Sequence, residues 1–165
     1  MCRISFSIFL AGAAIFCAWS DAAKAWSHDE FRSGMTDADA SELLRRKGYG
    51  DLIRAPIGER EGEYVLQSRA QNNKYHVTLC RGLVVGISVD IGTDFRLFAT
   101  RVQVEKTVRG APAVDVIQSG LYSIIKSTWI VENTELEYAF ECVLGDTACR
   151  VALSYSGPSP CVKSK

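Results

Sequence analysis

Few residues in this chain carry groups suited to chemistry. It has two histidines and six cysteines in 165 residues. His76 lies in an alternating stretch that reads as a strand, and Cys80 falls on the same face of it, two pleats along. A thiol and an imidazole on one strand face suggest a nucleophile–base pair. An exported thiol among other cysteines, however, is expected to be oxidised. His28, Asp29 and Glu30 form a run of metal-capable side chains. Three adjacent residues seldom converge on one ion, so no metal site is expected. Glu135, Glu137 and Glu141 make an acidic row. Alternate positions on the solvent face of a strand are ordinarily just solvated. No phosphate loop or metalloprotease helix motif is present, and no cofactor is implied. The residue types therefore give no catalytic constellation, and the expectation is a protein that is not an enzyme.

The compartment is more legible. Residues 1–25 read as a signal peptide: Arg3 supplies the positive start, an apolar core includes Phe6, Ile8, Phe9 and Leu10, and Ala23 and Ala25 precede a cleavage point before Trp26. The apolar run is shorter than the roughly 20 residues a membrane-spanning helix needs, and no later run is longer. Four cysteines then remain, Cys80, Cys142, Cys149 and Cys161. An even number behind a signal peptide favours two disulfides and a periplasmic or secreted location. Nineteen basic against nineteen acidic residues leave no net charge. There is no electrostatic case for nucleic acid or for an anionic membrane surface.

These groups must be positioned by regular elements. Residues 26–35 form a polar N-terminal arm, expected to pack loosely. Thr36 or Asp37 caps a helix over about residues 38–47, and Gly48 stops it. A strand carries Tyr64, Leu66 and Ser68 on one face, and Asn72-Asn73 turns the chain into a second strand. That turn sets Leu79 opposite Leu66, His76 opposite Arg69 and Cys80 opposite Val65. Arg81-Gly82 turns it again. Residues 95–108 alternate as a further strand. Pro112 opens a second helix whose stripe is Val114, Ile117, Leu121, Ile124, Ile125 and Thr128. A hairpin around Gly145-Asp146 follows, pairing Cys142 with Cys149, Phe140 with Val151 and Glu141 with Arg150. The expected fold class is α+β: two helix-plus-antiparallel-strand units, a structural tandem suggested by element order, stapled by disulfides.

The run Leu43-Leu44-Arg45-Arg46-Lys47-Gly48-Tyr49, followed by Asp51-Leu52-Ile53 and Gly62-Glu63-Tyr64-Val65-Leu66, resembles the PepSY-like domains of exported bacterial proteins. The resemblance covers about residues 36–90. It implies a PepSY-like unit over 36–108, while residues 112–165 read from their own pattern as a second helix-hairpin unit with a disulfide-pinned tail. It also implies a small cell-envelope module that binds a protein or peptide, with a peptidase-inhibitor-like role, and it brings no catalytic residues. Tyr64, Arg69 and His76 are the candidate binding contacts, on an exposed sheet face or edge. Two other readings compete: a small envelope enzyme using Cys80 and His76, and a secreted structural or virulence-associated factor.

Among the three possible disulfide connectivities the hairpin register favours Cys142–Cys149, which leaves Cys80–Cys161. The register around Gly145-Asp146 puts the first pair at a hydrogen-bonded site. Peptide mapping under non-reducing conditions is expected to show these two links, and a peptide joining Cys80 to Cys142 would overturn the pairing.

Overall fold

The computed structural model describes residues 26–58, 61–69, 74–143 and 148–161. The expected signal peptide and the turns at Asn72-Asn73 and Gly145-Asp146 lie outside the described residues. The chain runs through β1 (Ser27–His28), β2 (Phe31–Arg32), α1 (Asp37–Arg46), β3 (Leu52–Pro56), β4 (Glu63–Ser68), β5 (Tyr75–Cys80) and β6 (Leu83–Gly92). It continues through α2 (Phe95–Arg109), β7 (Ala113–Ser119), β8 (Tyr122–Val131), β9 (Thr134–Val143) and β10 (Cys149–Ser156).

The fold is mainly β, which corrects the α+β reading. Eight antiparallel strands form one continuous sheet in the order β3-β4-β5-β6-β10-β9-β8-β7, and β1 and β2 make a separate ribbon. The chain is not divided into helix-plus-strand units, because β6 and β10 hydrogen-bond to each other in the middle of the sheet.

Two elements are exchanged relative to the sequence reading. Residues 95–109 are a helix, capped by the Asp94 side chain, which accepts from the Arg96 amide at 2.8 Å, and ended at Gly110 with φ 84°. Phe98, Val102 and Glu105 repeat at helical spacing, and Phe98 and Val102 also satisfy a two-residue alternation through Thr100 and Val104. The expected second helix is instead the hairpin β7–β8. Its Val114, Val116, Ile117, Ile124 and Ile125 are β-branched and favour strands. Gly120, at φ 55°, takes the first turn position.

The first hairpin keeps its faces but changes partners. Leu66 pairs with Val77, Gln67 with His76 and Glu63 with Cys80. This is two residues away from the expected register, and a two-residue shift leaves every side chain on its side of the sheet. The last hairpin has the expected pairs, Cys142 with Cys149 and Glu141 with Arg150.

One line of paired residues crosses six strands: Leu66, Val77, Ile87, Tyr155, Leu136 and Trp129. It marks the core face. Helix α1 lays Ala40, Leu43 and Leu44 on that face over the first strands. Helix α2 buries only Phe98 fully, clustered with Phe95 and Phe140. Ile91 and Tyr155 touch both clusters and make the core continuous.

The arm is packed rather than loose. Phe31 is fully buried and Trp26 nearly so. Asp29 and Glu30 occupy a tight turn at φ 50° and 73°. There they pair with the basic end of α1: Lys47 with Asp29 at 3.0 Å and Glu30 at 3.3 Å, and Arg46 with Glu30 at 3.4 Å. Tyr75 also donates to Asp29.

The disulfides are Cys80–Cys161, 81 residues apart in sequence, and Cys142–Cys149, seven apart. The amide of Val143 donates to the Ala148 carbonyl. Cys142–Cys149 therefore sits at a non-hydrogen-bonded pair, with Cα atoms 4.2 Å apart, not at the hydrogen-bonded site expected from the turn. By loop-closure entropy, removing the long link should cost about 4.5 kcal/mol and the short one about 2.5 kcal/mol. Urea unfolding of Cys80→Ser/Cys161→Ser should show the larger loss, with Cys142→Ser/Cys149→Ser the milder of the two.

Candidate functional site

The sequence candidates do not converge. Cys80 is fully buried and bound to Cys161, so it supplies no thiolate. It also stands four residues from His76 along an extended strand, about 13 Å away, beyond direct reach. His76 lies on the sheet face without helices, with Nδ1 2.8 Å from Gln67 Oε1. Burial holds its pKa below the ordinary value, against the opposing pull of Asp90.

Tyr64 faces the other way. Its hydroxyl donates to Asp37 at 2.6 Å, and Arg54 grips the same carboxylate with bonds of 2.8 and 2.7 Å. Arg69 is exposed at the end of β4, where its amide donates to the Asp51 carbonyl. Tyr64 and His76 therefore lie on opposite faces of one sheet. Among the described residues there is no nucleophile–base–acid constellation, and no group of three side chains able to hold a metal ion.

The helix-free face is largely satisfied by its own charges. Lys126 meets Glu137 at 3.1 Å, and Arg150 meets Glu141 at 2.6 Å and Asp90 at 3.7 Å. Ser154 donates to Ser88 at 3.0 Å. Ala139 and Ala152 are buried despite lying on this open face. Two members of the acidic row, Glu137 and Glu141, are thus paired with cations and do not form a carboxylate pair for acid–base work.

The sheet edges differ from one another. Edge β3 has five residues, ends at Pro56 and carries Arg54, which is held by Asp37. Short length, proline and charge guard an edge against further pairing. Edge β7 has seven residues, every one of them exposed. Val114 is 59% exposed, Val116 65% and Ile117 41%, with Leu121 and Tyr122 exposed at the adjoining turn. Asp115 is its one charged residue.

The hydrogen-bonding phase of β7 follows from its hairpin. In a two-residue hairpin the pair flanking the turn bonds to each other. Here that pair is Ser119 and Tyr122, so Ile117 and Asp115 also bond inward to β8. The alternate residues Val114, Val116 and Gln118 then direct N–H and C=O outward. The phase agrees with the rest of the sheet: carried through β8 and β9, it predicts the observed Val143–Ala148 bond. Seven exposed residues with an open ladder and apolar side chains can accept another strand. Sequence reading missed this edge because it placed these residues on a helix. The cue was the density of β-branched residues on both sides of Gly120-Leu121.

No helix among the described residues is long and apolar enough to cross a membrane. The two disulfides point to an oxidising, extracytoplasmic setting.

Asp37 joins α1, β3 and β4, and the Arg54 guanidinium holds its carboxyl down at about 2. A depressed carboxyl stabilises the fold above its unfolded value, near 3.8, and that contribution is lost as pH falls towards 2. Asp37→Asn should lower the urea midpoint at pH 5 and flatten its decline between pH 4 and 2. An unchanged decline would show that other carboxyls govern acid unfolding. No family model, curated protein or solved structure matches the chain.

Proposed function

We propose that this protein is an exported, non-catalytic module of the periplasm or extracellular space that binds an extended segment of a partner protein by strand addition along β7. The exposed ladder of β7 carries the reading. A strand laid beside it would bond to the outward groups of Val114, Val116 and Gln118, and main-chain bonds of this kind give affinity with little demand on sequence. Val114 and Val116 on one face, and Ile117 on the other, would pack against alternate side chains of the partner. The resemblance of residues 36–90 to PepSY-like domains supports an envelope role, with inhibition of a peptidase as the form that binding takes. The enzyme reading that used Cys80 and His76 loses its nucleophile to the Cys80–Cys161 disulfide.

The hairpin phase gives a discriminating test. Val116→Pro removes an outward N–H and leaves the inward bonds to β8 intact, and proline is tolerated at such edge positions. Ile117→Pro removes an inward N–H and should destabilise the hairpin. Purified protein immobilised with its disulfides intact should retain a partner from an envelope extract. Val116→Pro should unfold within a few degrees of wild type and lose at least about tenfold in affinity, corresponding to one or two lost hydrogen bonds and a steric block. Equal capture by wild type and Val116→Pro, or capture by neither, would overturn strand addition.

A further inference from the structure

The side chains of β7 narrow what can lie beside it. They alternate between the two faces of the sheet. Val114 and Val116 pair with Ser127 and Ile125, on the helix-bearing face with Trp129. Asp115 and Ile117 stand on the helix-free face. Only Asp115 is charged. The cation facing it across the hairpin is Lys126 of β8. The Lys126 ammonium is bonded to Glu137, at 3.2 and 3.1 Å. One lysine therefore serves two carboxylates and is held by the inner one. Among the described residues no hydrogen bond or ion pair engages the Asp115 side chain.

The backbone phase brings this carboxylate to bear on an incoming strand. Asp115 turns its N–H and C=O inward to β8, so towards an added antiparallel strand it forms a non-hydrogen-bonded pair. Such pairs are the closer kind, with Cα atoms about 4.5 Å apart. The incoming residue opposite Asp115 meets the carboxylate at close range. Its two neighbours in sequence meet Val114 and Val116 on the other face, and the next residue on its own face meets Ile117. An acidic residue opposite Asp115 is repelled, an apolar one desolvates it without compensation, and a cation pairs with it. A second copy of this chain does not supply that cation. β7 holds none, so self-pairing leaves Asp115 opposite an uncharged residue or its own counterpart. The other sheet edge, β3, has one cation, Arg54, and it is held by Asp37.

We infer that the strand accepted by β7 is an antiparallel segment of a different protein with a lysine or arginine opposite Asp115 and apolar residues on either side of it in sequence. From its N-terminus that segment reads apolar, apolar, basic, apolar, facing Ile117, Val116, Asp115 and Val114 in turn. The inference rests on the strand-addition reading and gives the partner its chemistry.

The test titrates the purified protein, disulfides intact, with two capped peptides: Ser-Thr-Ile-Val-Lys-Val-Thr, and the same sequence with glutamate in place of lysine. Binding is followed by NMR through the amide signals of Val114 and Gln118, at low ionic strength, where exposed charges are least screened. The lysine peptide should bind saturably and at least about threefold more tightly than the glutamate peptide, the effect of exchanging an opposite for a like charge across paired strands. Asp115→Asn should bring the two affinities to within about twofold of each other, and Asp115→Lys should reverse their order. Every residue of β7 is exposed, so these variants should keep the fold. Equal binding of both peptides that is lost in Val116→Pro would overturn the charge selection and leave strand addition standing. A lysine preference that persists in Asp115→Asn would do the same. Binding of neither peptide, or binding that survives Val116→Pro, would overturn strand addition and this inference with it.

Discussion

The pairing of β6 with β10 is the constraint on which the rest of the molecule depends. β6 is ten residues long and belongs to the first meander; β10 is the last strand of the chain. Their contact turns two groups of strands into one sheet and aligns Ile87 with Tyr155. That alignment extends the apolar line from Leu66 to Trp129, giving both helices a common floor. Without it, each group of strands would expose an edge and half a core face, and a small sheet so exposed is marginal in water.

The helices use that floor unequally. Helix α1 is amphipathic, capped by the Thr36 side chain, and buries three apolar residues and Ser41. Helix α2 is longer but leaves Val104 and Val108 in solvent. It lies over β9 and β10 and reaches Trp129 of β8, so the edge strand β7 extends past the cover. Most charges elsewhere are committed to partners: Asp37 to Arg54 and Tyr64, Asp29 and Glu30 to the end of α1, Glu141 to Arg150. The apolar outer hairpin stands apart from this closely paired surface.

How much was legible in the sequence varied with the kind of signal. The start and stop of α1 could be read because Thr36 and Gly48 act locally. The last hairpin could be read because its alternation is long and both strands agree, and the cysteine pairing followed from it. The exchange of α2 with β7–β8 could not, because Phe98 and Val102 satisfy both periods, and the stripe Val114, Ile117, Leu121 mimics a helix across a turn. Nor was the register of β4–β5 fixed, since a two-residue slip preserves the inside–outside pattern and only the loop length distinguishes the two. The β7 edge was invisible for a further reason. It offers backbone groups that side-chain identity does not report.

The central position of β10 has a consequence for biogenesis. A chain emerging from its N-terminus completes β6 long before β10 exists. Until then β6, with Val84, Val85, Ile87 and Val89 along it, is an open strand on a half-built sheet. Cys80 at the end of the neighbouring strand is a thiol awaiting a partner near the C-terminus, while Cys142 and Cys149 arrive first and close to each other. Synthesis from the N-terminus therefore builds this molecule from its flanks towards its middle. The nascent chain must be kept from pairing β6 with itself, and Cys80 with the wrong sulfur, until its last twenty or so residues have been delivered.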